Sequence, residues 1–195
     1  MNQLFILACA ATVGIFPRSA QAENWPVWRG PRLDGTSVEK NVPVHWSGNG
    51  ATGPSNLLWK TELPGNGHAS PIVWQDRIFT VAVLPAEEAR VLLCFDRDSG
   101  KRLWQASVLR SPLERKHSLN SHASSTPATD GSQVYVAFLD RQEMVVAAYD
   151  FKGRQKWMVR PGGFTSMHGF CSSPILFEDK VIVNGDHDGD SSGGP

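Results

Sequence analysis

The chain carries the stretch DRDSGKRLW at residues 96–104 and a second version of it, DFKGRQKW, at residues 150–157. In each, an aspartate opens a turn, a glycine follows, and a tryptophan stands four residues after that glycine. Glycine adopts the positive φ that a tight hairpin needs, and aspartate accepts hydrogen bonds from its own turn. A buried indole N–H needs an acceptor, such as a carbonyl of a neighbouring sheet. The predicted structural repeat residues are Trp59, Asp96, Gly100, Trp104, Asp150, Gly153 and Trp157.

A second pattern recurs, in which a histidine precedes Ser-Pro or Thr-Pro and a pair of strand-like runs. It reads HASPIVWQDRIFTVAV from His68, HASSTPATDGSQVYVAF from His122 and HGFCSSPILFEDKVIVNGD from His168. Both patterns return after roughly 50 residues, the period typical of propeller blades. Four short strands per unit make one blade. The sequence therefore predicts an all-β fold: a partial β-propeller with about two complete four-stranded blades and the start of a third.

The strand boundaries follow from runs of β-branched and aromatic residues between turn residues. The predicted strands of the first unit are 72–74, 77–84, 91–96 and 102–108, and those of the second are 125–129, 134–139, 144–150 and 155–160.

The segment before the blades reads NWPVWRGPRLD at residues 24–34, followed by Gly35-Thr36-Ser37. This lead-in resembles that of exported bacterial proteins of the PQQ-like (pyrroloquinoline-quinone-like) β-propeller family, whose repeat the Asp-to-Trp pattern also resembles. The resemblance extends from Asn24 to about Asp190. The blades, residues 56–195, are fewer than a closed propeller needs, so we expect the N-terminal fragment of a longer propeller.

The resemblance leaves two functions open. A PQQ-dependent alcohol or sugar dehydrogenase would hold PQQ with calcium, next to adjacent cysteines, a tryptophan floor and Glu, Asn or Asp ligands. The chain has no Cys-Cys pair. The favoured interpretation is therefore an exported, non-catalytic binding or interaction scaffold without a cofactor, and a quinoprotein dehydrogenase fragment is the alternative. An outer-membrane assembly lipoprotein is another relative by resemblance, and it would imply a protein partner.

Charge and hydropathy limit the partners further. The 195 residues include 19 basic and 19 acidic ones, which gives no net charge. General nucleic-acid binders carry a basic surplus, so no nucleic-acid partner is expected. No apolar run after residue 20 reaches the roughly 18 residues that span a bilayer, so no transmembrane anchor is expected after signal cleavage. The expected partner is an unidentified protein or small ligand.

The first 22 residues are predicted to be a signal peptide. Residues 4–16 form an apolar core, and Ala20-Gln21-Ala22 supplies a small-x-small cleavage site before Glu23. Cys9 does not lie in a convincing lipoprotein box, so the assembly lipoprotein's role is not inferred. The mature protein is expected to be periplasmic or extracellular, with a lead-in at residues 23–55.

Three histidines and three aspartates are candidate ligands. His68, His122 and His168 would surround the channel mouth if each opened an inner strand, where imidazoles bind metals or anions. Alternatively, each histidine bonds its local turn. The acidic run around Asp186, Asp188 and Asp190 is a weak calcium candidate, because the order of an EF-hand loop is not matched. A polar turn is favoured there, and no catalytic residue or metal site is predicted.

The loop at residues 110–117 is basic, and it is a candidate contact for an anionic ligand or a membrane surface, although such loops are usually only solvated. Cys94 and Cys171 lie in different repeats. They either pair or, as favoured here, remain two separate buried thiols. No Gly-x-Ser-x-Gly elbow, Walker or Rossmann pattern is present.

Overall fold

The structure is a computed structural model that describes residues 22–46 and 56–187. In those residues the chain forms two four-stranded antiparallel sheets and one two-stranded sheet, each in simple chain order. The first blade consists of β1 (Ile72–Trp74), β2 (Arg77–Leu84), β3 (Ala89–Asp96) and β4 (Arg102–Arg110). The second consists of β5 (Ala128–Thr129), β6 (Gln133–Asp140), β7 (Glu143–Asp150) and β8 (Gln155–Val159). The third unit pairs β9 (Ile175–Phe177) with β10 (Lys180–Ile182).

This is the all-β, partial-propeller architecture that the sequence predicts. A single 3-10 turn, Pro85–Glu87, joins β2 to β3. No helix within residues 22–46 and 56–187 is long and apolar enough to cross a membrane. The predicted signal peptide lies outside the described residues except for Ala22, and so do Asp188 and Asp190.

The middle strands of each blade are buried along most of their length. In β3 and β7 the runs Ala89–Phe95 and Met144–Tyr149 are buried without interruption. One face of β7 packs in the core shared with the first blade, and its other face packs against the loop after β8 and the third unit. Continuous runs of Val, Ala and Leu are the composition that such strands require. The last strands, β4 and β8, lie at the outer edges, and their residues are mostly exposed or half-buried.

The main hydrophobic core joins the two blades. Phe79 and Leu92 of the first blade pack in one cluster with Val134, Phe138 and Val145 of the second, and all five are essentially inaccessible to solvent. Burying one such side chain contributes about 1.5–3 kcal/mol. The two blades therefore form one cooperative unit, since each loses part of its core without the other.

A tryptophan from one repeat docks on the glycine turn of the next. Trp59 donates its indole N–H to the carbonyl of Arg97 at 2.8 Å, and its ring covers Gly100. Trp104 does the same in the second blade, donating to the carbonyl of Phe151 at 2.9 Å with its ring against Gly153. We call each pairing a Trp–Gly latch. In both latches the accepting carbonyl belongs to the residue directly after the turn aspartate.

The latch explains why glycine stands in these turns. Gly100 and Gly153 have φ of +68° and +78°, a conformation that glycine adopts readily. A Cβ on Gly153 would lie 2.9 Å from the Trp104 ring, and one on Gly100 would lie 2.4 Å from the Trp59 ring. A third contact of this kind joins Trp74 to Gly131, in the turn between β5 and β6.

Trp157 holds the same repeat position as Trp104 but has a different environment. Its ring packs near Tyr135, with centroids 5.9 Å apart and planes at 40°. Among the described residues its indole N–H has no hydrogen-bond partner, and no glycine turn covers the ring.

Hydroxyl groups of the Ser/Thr-Pro motifs form a second link between repeats. The Ser70 N–H donates to the Thr126 hydroxyl, and the Thr126 N–H donates to the Ser173 hydroxyl, both at 3.0 Å. Each residue precedes the proline of its repeat, so the motif connects successive units. These bonds also explain a difference from prediction. Because Ser125 and Thr126 bond to the third unit, β5 begins at Ala128 rather than at residue 125.

The lead-in lies against both blades. Trp25 forms an antiparallel bridge with Val73 on the free side of β1, through N···O distances of 2.8 and 2.9 Å. The carbonyl of Pro26 accepts the Thr129 N–H at 2.9 Å. A compact turn follows, in which Arg32 pairs with Glu23 at 2.6 Å. Residues 24–26 therefore supply hydrogen bonds that β1 and β5 would otherwise lack.

Candidate functional site

A cavity lies where loops of the two blades and the third unit meet. It has a volume of about 1360 Å³, and we call it the loop groove. One wall is the loop after β4, residues 112–118, and another is the turn from β6 to β7, residues 139–143. Arg160 and residues 164–167 complete the lining. Loops on a rigid scaffold are where proteins most often place binding residues.

A buried ion pair fixes the first wall. Arg90, the second residue of β3, is fully buried and pairs with Glu114, whose side chain is 8% exposed. Arg90 also donates to the carbonyl and the hydroxyl of Ser111, at 2.7 and 3.2 Å. On its other side, His122 donates from Nε2 to the Glu114 carbonyl at 2.8 Å. A buried ion pair adds little net stability, so its clearest consequence here is a loop held in one position.

The first wall is also packed against the loop that follows β8. A Cβ on Gly169, where φ is +86°, would lie 2.9 Å from the Lys116 Cβ. Asn120 donates from Nδ2 to the His168 carbonyl at 2.7 Å, and the rings of His117 and His168 lie 5.7 Å apart. The two loops therefore support each other.

The opposite wall is organised by one arginine. Arg160 donates to Asp140 at 2.5 Å and to Glu143 at 3.0 Å, which ties the end of β8 to the turn between β6 and β7. Burial is the largest influence on the Asp140 carboxyl and opposes its ionisation. The hydrogen bonds from Arg160 and Ser111 and the charges of Arg160 and Arg141 together outweigh it and hold the pKa of this carboxyl below its usual range. Asp140 is therefore charged at neutral pH.

The family model described as outer membrane protein assembly factor BamB, a PQQ-type repeat model, matches residues 49–114 and 87–192. Together these matches cover most of the chain. The chain belongs to this PQQ-like repeat family. The matches include both blades, the third unit and every loop of the groove, whereas the lead-in up to residue 48 lies outside them. Among curated proteins, none matches the chain.

Within the PQQ-like repeat, the three predicted histidines occupy different environments. His68 is exposed and donates its backbone N–H to Ala123, whereas His122 is half-buried against Glu114. His168 lies beside His117 at the groove. The described residues contain no group of three or more His, Cys, Asp or Glu side chains that could hold a metal ion, so these histidines do not form a shared metal site there.

The aspartates of the repeat stabilise turns. The Asp96 carboxylate accepts from the Ser99 hydroxyl at 2.5 Å and from its backbone N–H at 2.9 Å, bonds that lower the Asp96 pKa. The Asp150 carboxylate accepts from the backbone of Lys152 and Arg154, and the bonds from Arg154 lower its pKa. Of the three candidate calcium ligands, only Asp186 is described, and its backbone N–H bonds to Asn184.

The two cysteines of the blades are unpaired. Cys94 is fully buried in the core shared by the blades, and burial raises the pKa of its thiol to about 12. Cys171 is exposed, which corrects the prediction that both thiols are buried. It lies just before the two-stranded third unit.

Sequence reasoning missed the residues that build the groove walls. Arg90 interrupts the apolar run ARVLLCF, and that charge within a buried strand was the available signal. Its partner Glu114 stands within the basic loop. Asp140 and Arg160 belong to no sequence motif. They meet only because the second blade places the end of β6 next to the residue after β8.

Proposed function

We propose that this chain is an exported β-propeller scaffold that binds a partner in the loop groove and catalyses no reaction itself. The observation that carries the proposal is the groove, whose walls are held by the Arg90–Glu114 pair and by Arg160. Such fixed walls lower the entropy cost of binding. The matched family model is named for a factor in outer-membrane protein assembly, which supports an envelope location and a protein partner.

Export is part of the proposal. The apolar residues 4–16 and the Ala20-Gln21-Ala22 site support cleavage before Glu23. The mass of the mature protein from an envelope fraction should therefore correspond to a chain beginning at Glu23. Recovery of the protein in the cytoplasm with Met1 in place would contradict export.

A photo-crosslinking experiment tests the binding role. A photoreactive amino acid replaces Gln142 in the groove, and in a second variant it replaces Gln105, which is also exposed but lies on β4. We expect a discrete adduct with one protein from position 142 and none from position 105. Adducts of equal intensity at both positions, or none at position 142, would contradict a partner site in the groove.

The dehydrogenase alternative has its own assay. The purified chain is supplied with PQQ, calcium and a panel of alcohols and sugars, and reduction of an artificial electron acceptor is followed. The proposal predicts no reduction above that of PQQ and calcium without protein. Protein-dependent reduction would favour the quinoprotein alternative over the scaffold.

A further inference from the structure

The loop groove carries three cations without a carboxylate partner. Arg115 and Lys116 lie on the first wall and Arg141 on the opposite one. Across the described ranges, no Asp or Glu oxygen lies within 4.0 Å of any of the three charged groups. None of the three therefore forms an ion pair there, although the charge of Arg141 also helps to lower the pKa of Asp140.

The carboxylates of the groove are already engaged. Glu114 pairs with the buried Arg90, and both Asp140 and Glu143 pair with Arg160. Since each acid has a cationic partner within the fold, none is left over to neutralise the first wall. The groove as a whole should attract negative charge.

The fold fixes the backbone that carries the three cations. Arg115 and Lys116 directly follow Glu114, and Lys116 packs against Gly169 through its Cβ. Arg141 sits in the tight turn that joins β6 to β7, where it holds a φ of +60°. Cations on a fixed frame give selectivity and faster association as well as affinity.

The size of the groove favours a chain segment over a small anion. Its volume of about 1360 Å³ exceeds the roughly 300–1,000 Å³ of typical small-molecule sites. Its lining also includes Met167, 73% exposed, whose apolar side chain gives a phosphate ion nothing to bind. An extended peptide would use both the cations and this apolar surface.

The side chain of His187 packs against the wall of the groove formed by residues 164–167. The Thr165 N–H donates to His187 Nδ1 at 3.1 Å, and the His187 ring stacks on Phe164 at 6.2 Å with planes at 28°. Thr165 and Phe164 both line the groove. His187 thus occupies the Thr165 donor and covers the Phe164 ring, which is 7% exposed, and it shows how a side chain of an extended segment packs on this wall.

From these observations we propose that the loop groove binds a peptide segment of a partner protein in which carboxylates alternate with apolar side chains. This inference rests on the proposed scaffold function and names the chemistry of its partner. Arg115, Lys116 and Arg141 bind the carboxylates, and the exposed Met167 contacts the apolar side chains.

Fluorescence anisotropy tests the proposal with a labelled peptide of alternating glutamate and leucine. A second peptide carries lysine in place of glutamate. We expect the acidic peptide to bind the mature chain and the basic one not to bind. The double variant R115E/K116E should weaken binding about tenfold or more, and R141E about fivefold. R141E alters the other wall, so it gives an independent result if the double variant fails to fold.

The matched control is K101E/R102E. These two residues are an exposed adjacent Lys-Arg pair at the far end of β4, and the change in net charge is the same. Binding should stay within about twofold of the wild type, because general attraction is screened at physiological salt. Equal losses in both double variants would overturn the proposal, as would binding of the basic peptide. Inorganic phosphate that displaced the peptide at millimolar concentration, through more than salt screening, would point to a small-anion site instead.

The outcome is separable from that of the proposed function. If position 142 crosslinks to a partner but the linked partner peptide carries no carboxylates, the scaffold function stands and this inference fails. If the acidic peptide binds but no cellular adduct forms, the groove chemistry stands without the scaffold function.

Discussion

Trp104 and Trp157 occupy the same position in successive repeats, but their side chains make different contacts. Trp104 is latched to the second blade, through its bond to the Phe151 carbonyl and its ring on Gly153. Trp157 contacts Tyr135 in its own blade, and within the described chain its N–H finds no acceptor. The stability that such a tryptophan contributes therefore depends on whether the glycine turn of a neighbouring blade packs against its ring.

The surroundings of the two tryptophans differ in the same way. Around Trp104, Phe79 lies 6.0 Å away, and the core shared by the two blades is closed. On the side of the third unit, large apolar residues remain in contact with solvent: Val159 is 50% exposed, Ile175 49%, Phe177 60% and Ile182 47%. The interface between the two blades is therefore buried, whereas the apolar surface next to the third unit is only partly covered.

The largest expected effect is that of removing the latched tryptophan. Trp104→Ala should cost about 3 kcal/mol of unfolding free energy, at the low end for a buried aromatic because the ring is only half-buried. Trp157→Ala should cost about 1 kcal/mol, since no glycine turn or acceptor is lost. Urea unfolding of the two variants measures both values. Equal losses would mean that the latch contributes nothing beyond burial of the ring.

A smaller effect is expected from filling the glycine of the latch. Gly153→Ala places a Cβ against the Trp104 ring and holds alanine at a φ of +78°, so it should cost about 2 kcal/mol. Gly162→Ala is the control, because a Cβ there meets no atom within 4 Å. It should leave the thermal midpoint almost unchanged. A Gly153 variant as stable as the Gly162 variant would show that the ring does not press on the turn.

The hydroxyl link between repeats should contribute less again. Thr126→Val keeps the shape of the side chain but leaves the Ser70 N–H without its acceptor, at a cost of about 1–2 kcal/mol. Ser70→Ala leaves that N–H bond in place and should cost under about 0.5 kcal/mol. Chemical denaturation compares the two. A larger loss of unfolding free energy in the Ser70 variant than in the Thr126 variant would contradict a bond from the Ser70 N–H to the Thr126 hydroxyl.

The smallest effect concerns the ion pairs at corresponding ends of the two blades. Asp140 pairs with Arg160 in the second blade, as Glu87 does with Arg110 in the first. The pKa of Asp140 is lowered on folding, so its contribution is complete above the usual aspartate pKa of about 3.9 and is lost as pH falls through the lowered value.

Asp140→Asn should therefore reduce stability by about 1 kcal/mol at pH 7 and flatten its decline below pH 4. Glu87→Gln removes one partner of an exposed pair, both of whose side chains are more than half exposed, and should change little. Melting curves between pH 2 and 7 distinguish the cases. If the stability of the wild type and of the Asp140 variant fell in parallel with decreasing pH, the Arg160 pair would not lower the Asp140 pKa as described.

Much of the fold could be predicted because local patterns define it. The strand expected at 77–84 is observed as Arg77–Leu84, and that expected at 72–74 as Ile72–Trp74. The β3 strand begins two residues earlier than predicted, and β4 ends two later. Strand interiors follow apolar runs, but their ends depend on pairing with the neighbouring strand.

The candidate site was much less accessible to sequence reasoning. Repetition singles out the histidines, but it does not reveal that the His68 backbone bonds to Ala123 of the next repeat while the His122 ring bonds to the Glu114 carbonyl. Arg90 and Glu114 are 24 residues apart, and Asp140 and Arg160 are 20 apart. Only the register of the blades brings these partners together. The basic loop was recognised as a candidate, but its unpaired charges became identifiable only when every ion pair could be assigned.

The tryptophan of one blade and the glycine turn of the next act as one energetic unit in this structure. A double-mutant cycle of Trp104→Ala and Gly153→Ala measures this directly from unfolding free energies. Because the added methyl group meets the indole ring, the glycine variant should become much milder once the ring is gone. We predict a coupling of about 1–2 kcal/mol between the two changes. Additivity within about 0.5 kcal/mol would contradict the latch.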